Sequence, residues 1–248
     1  MDLSDYFRAH PRAAVAFSGG VDSAFLLWAA VQAGADVTAY YVKTSFQPQF
    51  ELADAERLAS ELGFRLRICT ADPLSDPQIA ANPPQRCYFC KRLIFTVIRA
   101  AAAEDGYERI LDGTNASDDV ADRPGFRALQ ELGVRSPLRE CGLTKPEIRR
   151  LSEKAGLFTW NKPAYACLAT RIPAGEPITA EKLEETERAE TFLASLGFRD
   201  FRVRLRGGAA RLQLRAEDFP RLMAHRTEIL AVLRPMYDGV TLDLEERP

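Results

Sequence analysis

Ser18-Gly19-Gly20-Val21-Asp22-Ser23 stands between an apolar run, Ala13-Ala14-Val15-Ala16-Phe17, and a helix-like run from Ala24 to Ala33. A buried strand, a tight glycine pair and a helix N-terminus, in that order, make an anion site. Gly19 and Gly20 let the backbone turn with its N–H groups pointing inward, and the dipole of the following helix favours negative charge there. Ser18 and Ser23 add hydroxyl donors, and Asp22 supplies a carboxylate suited to Mg2+ beside a polyphosphate. The bland alternative, a strand-to-helix turn with a serine cap, is disfavoured because this element order is what a phosphate cradle requires. No G-x-x-x-x-G-K-[ST] and no G-x-G-x-x-G string occurs, so neither the kinase-type P-loop nor the dinucleotide fingerprint is present.

Outward from the cradle, residues 2–10 read as a short lead-in helix. Residues 37–42 form an apolar strand, 49–62 a helix closed at Gly63, and 64–69 a third strand. This alternation predicts parallel βαβ units with right-handed crossovers, hence an α/β doubly wound parallel sheet. Ligands of such sheets sit outside the carboxyl ends of the strands, where residues 18–23 lie. A proline-rich stretch at 82–86 precedes a helical pattern at 90–103. A short strand at 109–112 then leads into Gly113-Thr114-Asn115-Ala116-Ser117-Asp118-Asp119. On its own that second polar loop reads equally well as an Asx-rich turn.

Residues 123–133 read as loop and short helix, and Thr144 caps a helix over 145–155 with Pro146 in its first turn. Residues 160–175, with two prolines and little periodicity, form a long loop of the kind that usually carries function. The composition then shifts. A charged helix over 179–196 is followed by strands at 201–205 and 211–214 around Gly207-Gly208, a helix over 216–237 broken near Pro235, and a strand at 240–244. The expected organisation is a nucleotide domain over 1–175 and a small α+β domain over 176–248.

The 248 residues are 46% hydrophobic and 27% charged, an ordinary soluble globular composition. With a net charge of −2 there is no basic field to attract nucleic acid, and no apolar run reaches membrane-spanning length. The start, MDLSDYFRAHP, is not a signal peptide, and five cysteines in such a chain argue for reduced thiols in the cytoplasm. Cys87 and Cys90 form a C-x-x-C at a helix start, beside Arg86, Lys91 and Arg92, whose charges favour thiolates. Half a zinc site, a redox pair and part of an iron–sulfur site all remain open for them. Cys167, in the long loop, is the natural third ligand, whereas Cys69 and Cys141 read as packed or incidental.

SGGVDS closely resembles the signature of the PP-loop ATP pyrophosphatases. These enzymes cleave ATP between the α and β phosphates, adenylate an oxygen of their substrate and release pyrophosphate. With NPPQRCYFCK, GTNASD, TKPEIRRLSEKAGL, KPAYACLATRIPAG and FRVRLRGGAARLQL in order, nearly the whole chain is similar to the LarE family. LarE proteins are ATP-dependent sulfur transferases of nickel-pincer nucleotide cofactor synthesis. The resemblance implies ATP and Mg2+ held by Ser18, Gly19, Gly20, Asp22, Ser23, Gly113, Thr114 and Asn115. It implies a pyridinium biscarboxylate mononucleotide as substrate, met by Arg171, Arg202 and Arg204. It makes Cys167 the sulfur-bearing residue, places acidic Glu190 near it, and implies a homo-oligomer. Arg202 and Arg204 alternate on a strand and so share a face, although by themselves they read as a solvated face. The family has two kinds of member, one spending the sulfur of a single cysteine and one holding an expendable sulfide on a three-cysteine cluster. Cys87, Cys90 and Cys167 match the second, with a [4Fe-4S] cluster. Rival readings are a tRNA thiolase of the same superfamily and a non-catalytic ATP- or metal-binding module.

Overall fold

The structure is a computed structural model and describes residues 2–119 and 124–245. In chain order the first part forms α1 (Leu3–Ala9), β1 (Arg12–Ala16), α2 (Val21–Gln32), β2 (Asp36–Lys43), α3 (Gln49–Leu62) and β3 (Arg65–Thr70). Then come α4 (Pro77–Ala80), α5 (Arg86–Glu104), β4 (Ile110–Leu111), α6 (Pro124–Glu131), α7 (Pro137–Glu140) and α8 (Lys145–Lys154). The remainder forms α9 (Ala180–Ser195), β5 (Arg202–Arg206), β6 (Ala209–Gln213), α10 (Phe219–Ala224), α11 (Arg226–Leu233) and β7 (Val240–Leu242). Arg123, where a loop was expected to begin, lies outside the described residues. No helix among the described residues is long and apolar enough to cross a membrane.

The chain divides into two compact units, Met1–Pro73 with Gln85–Tyr165, and Leu74–Pro84 with Ala166–Pro248. In the first, four parallel strands run in the order β3-β2-β1-β4. Strand direction of growth reverses between β1 and β4, which makes that gap the switch point of a doubly wound sheet. Both faces are covered, and the period-2 alternation of strands divides one apolar run between two cores. Ala13, Val15, Val37, Ala39 and Tyr41 pack with α1, α2, α3 and α8. Ala14, Tyr40 and Val42 pack with α5 and α6 on the opposite face. Arg135 adds an unforeseen single parallel bridge beside β4, at Leu111.

In the second unit β5 and β6 form an antiparallel hairpin and β7 runs parallel to β6. Ala189 and Leu193 of α9 pack with Val203, Leu212, Ile229 and Leu233 in a separate core. The unit begins at Ala166, ahead of the expected boundary after Gly175, and takes in the segment Leu74–Pro84. Hydrogen bonding explains this: Asn82 Nδ2 donates to the carbonyls of Pro173 (2.8 Å) and Ile172 (3.3 Å), and its own carbonyl accepts from Gly175 N–H at 2.8 Å. Asn82 is 2% exposed and holds φ 54°, a left-handed conformation that Asn tolerates because its short amide bonds locally. The helix does end near Pro235, α11 stopping at Leu233, and it is also broken at His225, between α10 and α11, where the backbone sits at ψ 10° and the ring Nδ1 meets Glu228 at 3.2 Å.

Candidate active site

Two constellations carry the expected functional residues, one in each unit. The first lies at the carboxyl ends of β1 and β4. Gly19 takes φ 73°, which a side chain would strain, and its Cα packs toward the carbonyl of Glu51. Gly20 then serves as the N-cap of α2 without any side-chain cap, so the helix N-terminus is left to a ligand. Ser23, 3% exposed, staples the turn: its Oγ accepts from Ser18 N–H at 3.3 Å, donates to Gly20 O at 3.2 Å and meets Ser18 Oγ at 3.1 Å. Ser18 is exposed at the mouth.

The 113–119 loop is fitted to this turn. A Cβ on Gly113 would lie 2.9 Å from Ser23 N and 3.2 Å from Ser23 Cα, both backbone atoms of the first turn of α2. Gly113→Ala is therefore expected to force the two loops apart at a cost of about 1–3 kcal/mol. Calorimetric titration with ATP should show affinity roughly tenfold weaker; wild-type affinity in the variant would contradict the fit. Asn115 Nδ2 donates to Asp22 Oδ1 at 3.3 Å while its Oδ1 accepts from Ser117 N–H at 2.8 Å. Thr114 Oγ1 and Ser136 Oγ both donate to the buried Asp112 carboxylate, a support that the sequence reading passed over.

Two lysines also escaped it. Lys145 Nζ meets Asp22 Oδ2 at 2.5 Å. Lys162 Nζ meets Asp54 Oδ2 at 2.6 Å and donates to the Gly19 carbonyl at 3.2 Å. Arg149 holds the Lys162 segment through the carbonyls of Trp160 and Lys162. A signal for Lys145 existed: it opens α8, where a cation opposes the helix dipole, and such local conflicts cluster at functional positions.

Cys87 and Cys90 lie near the start of α5, which begins four residues before the expected helix; at spacing i, i+3 they share one face. Arg86 Nη2 approaches Cys87 Sγ at 4.0 Å, and Cys87 is exposed. Burial pushes the Cys69 and Cys141 thiols up, as suits packed cysteines. Among the described residues no three His, Cys, Asp or Glu side chains gather into a group able to hold a metal ion.

The second constellation surrounds Cys167, which precedes a short 3-10 turn, Leu168–Arg171. The Cys167 carbonyl accepts from Thr170 N–H (2.9 Å), Thr170 Oγ1 (2.8 Å) and Arg171 Nη1 (3.4 Å). Arg171 was expected to meet substrate, yet its side chain is 0% exposed and forms a bidentate pair with Glu190 at 2.8 and 3.0 Å. The same guanidinium donates to Ala166 O at 2.9 Å and Thr170 Oγ1 at 2.8 Å. Glu190 Oε1 also accepts from Val203 N–H at 2.9 Å, so the carboxylate fastens α9 to β5. Arg202 and Arg204 alternate on β5, sharing a face; Arg204 bonds Thr170 O at 2.8 Å and Gln213 Oε1 at 2.5 Å, and Arg202 bonds Phe201 O at 2.6 Å.

Among curated proteins, the chain is 38% identical over 98% of its length to an uncharacterised protein of Synechocystis sp., of which it covers 92%. It is 35% identical over 94% of its length to the pyridinium-3,5-bisthiocarboxylic acid mononucleotide synthase of Lactiplantibacillus plantarum, covering 86% of that protein. The chain belongs to the LarE family. LarE proteins are ATP-dependent sulfur transferases of the PP-loop superfamily, and the doubly wound sheet with SGGVDS after β1 is the fold of that superfamily. A more distant likeness, 27% over 65% of the chain, is to the tRNA-specific 2-thiouridylase MnmA of Pseudothermotoga lettingae, of which the chain spans 56%. No family model matches the chain.

Proposed function

We propose that this LarE protein adenylates a carboxylate of pyridinium-3,5-biscarboxylic acid mononucleotide with ATP, releases pyrophosphate, and exchanges the activated oxygen for sulfur to give a thiocarboxylate. The observation that carries the reading is the interlocking of the 18–23 turn with the 113–119 loop at the sheet's switch point, through Gly113 on Ser23 and Asn115 on Asp22. Such a cradle binds polyphosphate on backbone N–H groups. Asp22, whose carboxylate is part-buried at the first turn of α2, fits a Mg2+ ion carried with the phosphates. That ion, when bound, neutralises phosphate charge and favours departure of pyrophosphate.

Adenylation turns a poor electrophile into an acyl group with AMP as leaving group, and a thiolate is the side-chain nucleophile best matched to it. In this reading Cys167 sulfur attacks the acyl carbon, AMP leaves, and loss of the Cys167 α-proton with breakage of its Cβ–S bond yields thiocarboxylate and dehydroalanine. Arg202 and Arg204 offer guanidinium groups to the substrate phosphate. Arg171 and Glu190 position the Cys167 turn. Three thiols, Cys87, Cys90 and Cys167, are the donor chemistry that a [4Fe-4S] cluster with one open iron would need, and such a cluster, when bound, would supply an expendable sulfide in place of the Cys167 sulfur. The family resemblance adds a homo-oligomer, and the five cysteines, read as reduced thiols, add a cytoplasmic setting.

The test is anaerobic purification followed by incubation with ATP, Mg2+ and the biscarboxylate mononucleotide. Release of AMP and pyrophosphate with a sulfur-for-oxygen product in the mass spectrum is expected. Pyrophosphate release stimulated by tRNA and indifferent to the mononucleotide would replace the reading with the thiolase one. Iron and sulfide in the wild type, lost in Cys87→Ala, identify a cluster as the sulfur carrier; iron-free protein with dehydroalanine at 167 identifies the cysteine.

A further inference from the structure

Asp22 has both carboxylate oxygens occupied. Oδ1 accepts from Asn115 and Oδ2 is held by the Lys145 ammonium at 2.5 Å. Side-chain exposure is 22% for Asp22 and 32% for Lys145, so the pair is sheltered and not a screened surface contact. Lys145 is delivered with care. Thr144 and Glu147 form a reciprocal cap at the start of α8, the Lys145 N–H donates to Ser117 Oγ at 2.9 Å, and Ala116 N–H donates to Leu143 O at 2.8 Å. The lysine is thereby tied to the 113–119 loop, at the helix end where its charge opposes the dipole.

A divalent cation and an ammonium cannot share one carboxylate oxygen, and they repel each other at such separation. An anion seated on the N-terminus of α2 lies beside Asp22, the second residue of that helix, and therefore beside the Lys145 ammonium. We propose that Lys145 is a phosphate-binding residue held in reserve on Asp22. When the metal–nucleotide arrives, Lys145 Nζ passes from Asp22 Oδ2 to a phosphate oxygen of ATP, and the vacated carboxylate oxygen takes the metal. No covalent bond changes, and the site's charges stay paired before and after. This rests on the ATP reading above and adds a residue that the cradle motif does not contain.

The experiment is equilibrium binding to wild type, Lys145→Gln and Lys145→Arg, with ATP plus Mg2+, with adenosine, and with Mn2+ alone followed by electron paramagnetic resonance. Lys145→Gln is expected to bind ATP about tenfold more weakly, adenosine as wild type does, and nucleotide-free Mn2+ several-fold more tightly. Lys145→Arg keeps the cation, so it should retain most of the ATP affinity and the weak Mn2+ binding. Unchanged ATP affinity in Lys145→Gln, equal loss for adenosine, or unchanged Mn2+ binding each overturns the exchange. Wild type that binds no ATP removes the ATP reading itself, a failure distinct from any of these.

Discussion

Cys167→Ser is expected to abolish thiocarboxylate formation, by about a thousandfold or more, while ATP is still cleaved to AMP and pyrophosphate. The substitution exchanges one atom, and the backbone bonds that hold the turn, from Thr170 and Arg171 to the Cys167 carbonyl, do not involve it. A serine hydroxyl is a weak nucleophile without an adjacent base, and it carries no sulfur to give. The phosphate cradle and the cysteine stand in different units of the chain, so the substitution separates activation from transfer. The measurement is parallel quantitation of pyrophosphate and of sulfur-bearing product. Wild-type product yield from Cys167→Ser would sink the role assigned to this residue, and loss of pyrophosphate release would tie Cys167 to adenylation as well.

Arg171→Ala is expected to lower stability by about 3–5 kcal/mol, because it takes the guanidinium partner from a buried Glu190 carboxylate. The pair is almost wholly removed from water, so solvent screening does not dilute the effect. The melting temperature should fall by roughly ten degrees or more. A double replacement, Arg171→Met with Glu190→Leu, removes both charges and should recover much of that loss, since well-packed apolar groups often match a buried ion pair. It cannot restore the donors to the carbonyls of Ala166 and Cys167. The expected result is a stable variant with poor sulfur transfer and normal adenylation. Full transfer activity in the double variant would show that the pair serves stability alone.

The sheet was legible because its central strands β1 and β2 are largely apolar runs with a glycine shortly after the first and shortly before the second, and the predicted helix over 49–62 matches α3. SGGVDS was legible because its chemistry is consecutive in sequence. The supports were not. Lys145 reaches Asp22 across 123 residues, and Asn82 reaches Pro173 across 91, and no local periodicity encodes such pairings. Arg171 was expected at the substrate from the family resemblance alone; its buried pairing is with Glu190, nineteen positions away on α9, which no local pattern reveals. The end near Pro235 was legible from the proline, whereas the further break at His225 carries no proline or glycine to mark it.

The chain crosses between its two units more than once, leaving the first at Leu74, re-entering at Gln85 and leaving again at Ala166. This has a cost in time during synthesis. Asn82 and Ile172 are separated by 90 residues, so at ribosomal speeds of about 5–20 residues per second the 74–84 segment waits roughly 5–20 seconds for its partners. Ile79, fully buried in the finished protein, lies within the waiting segment. A nascent chain paused before residue 166 therefore holds the 74–84 segment without the Ile172 and Pro173 carbonyls that Asn82 bonds, and a truncation at Tyr165 would make that state permanent.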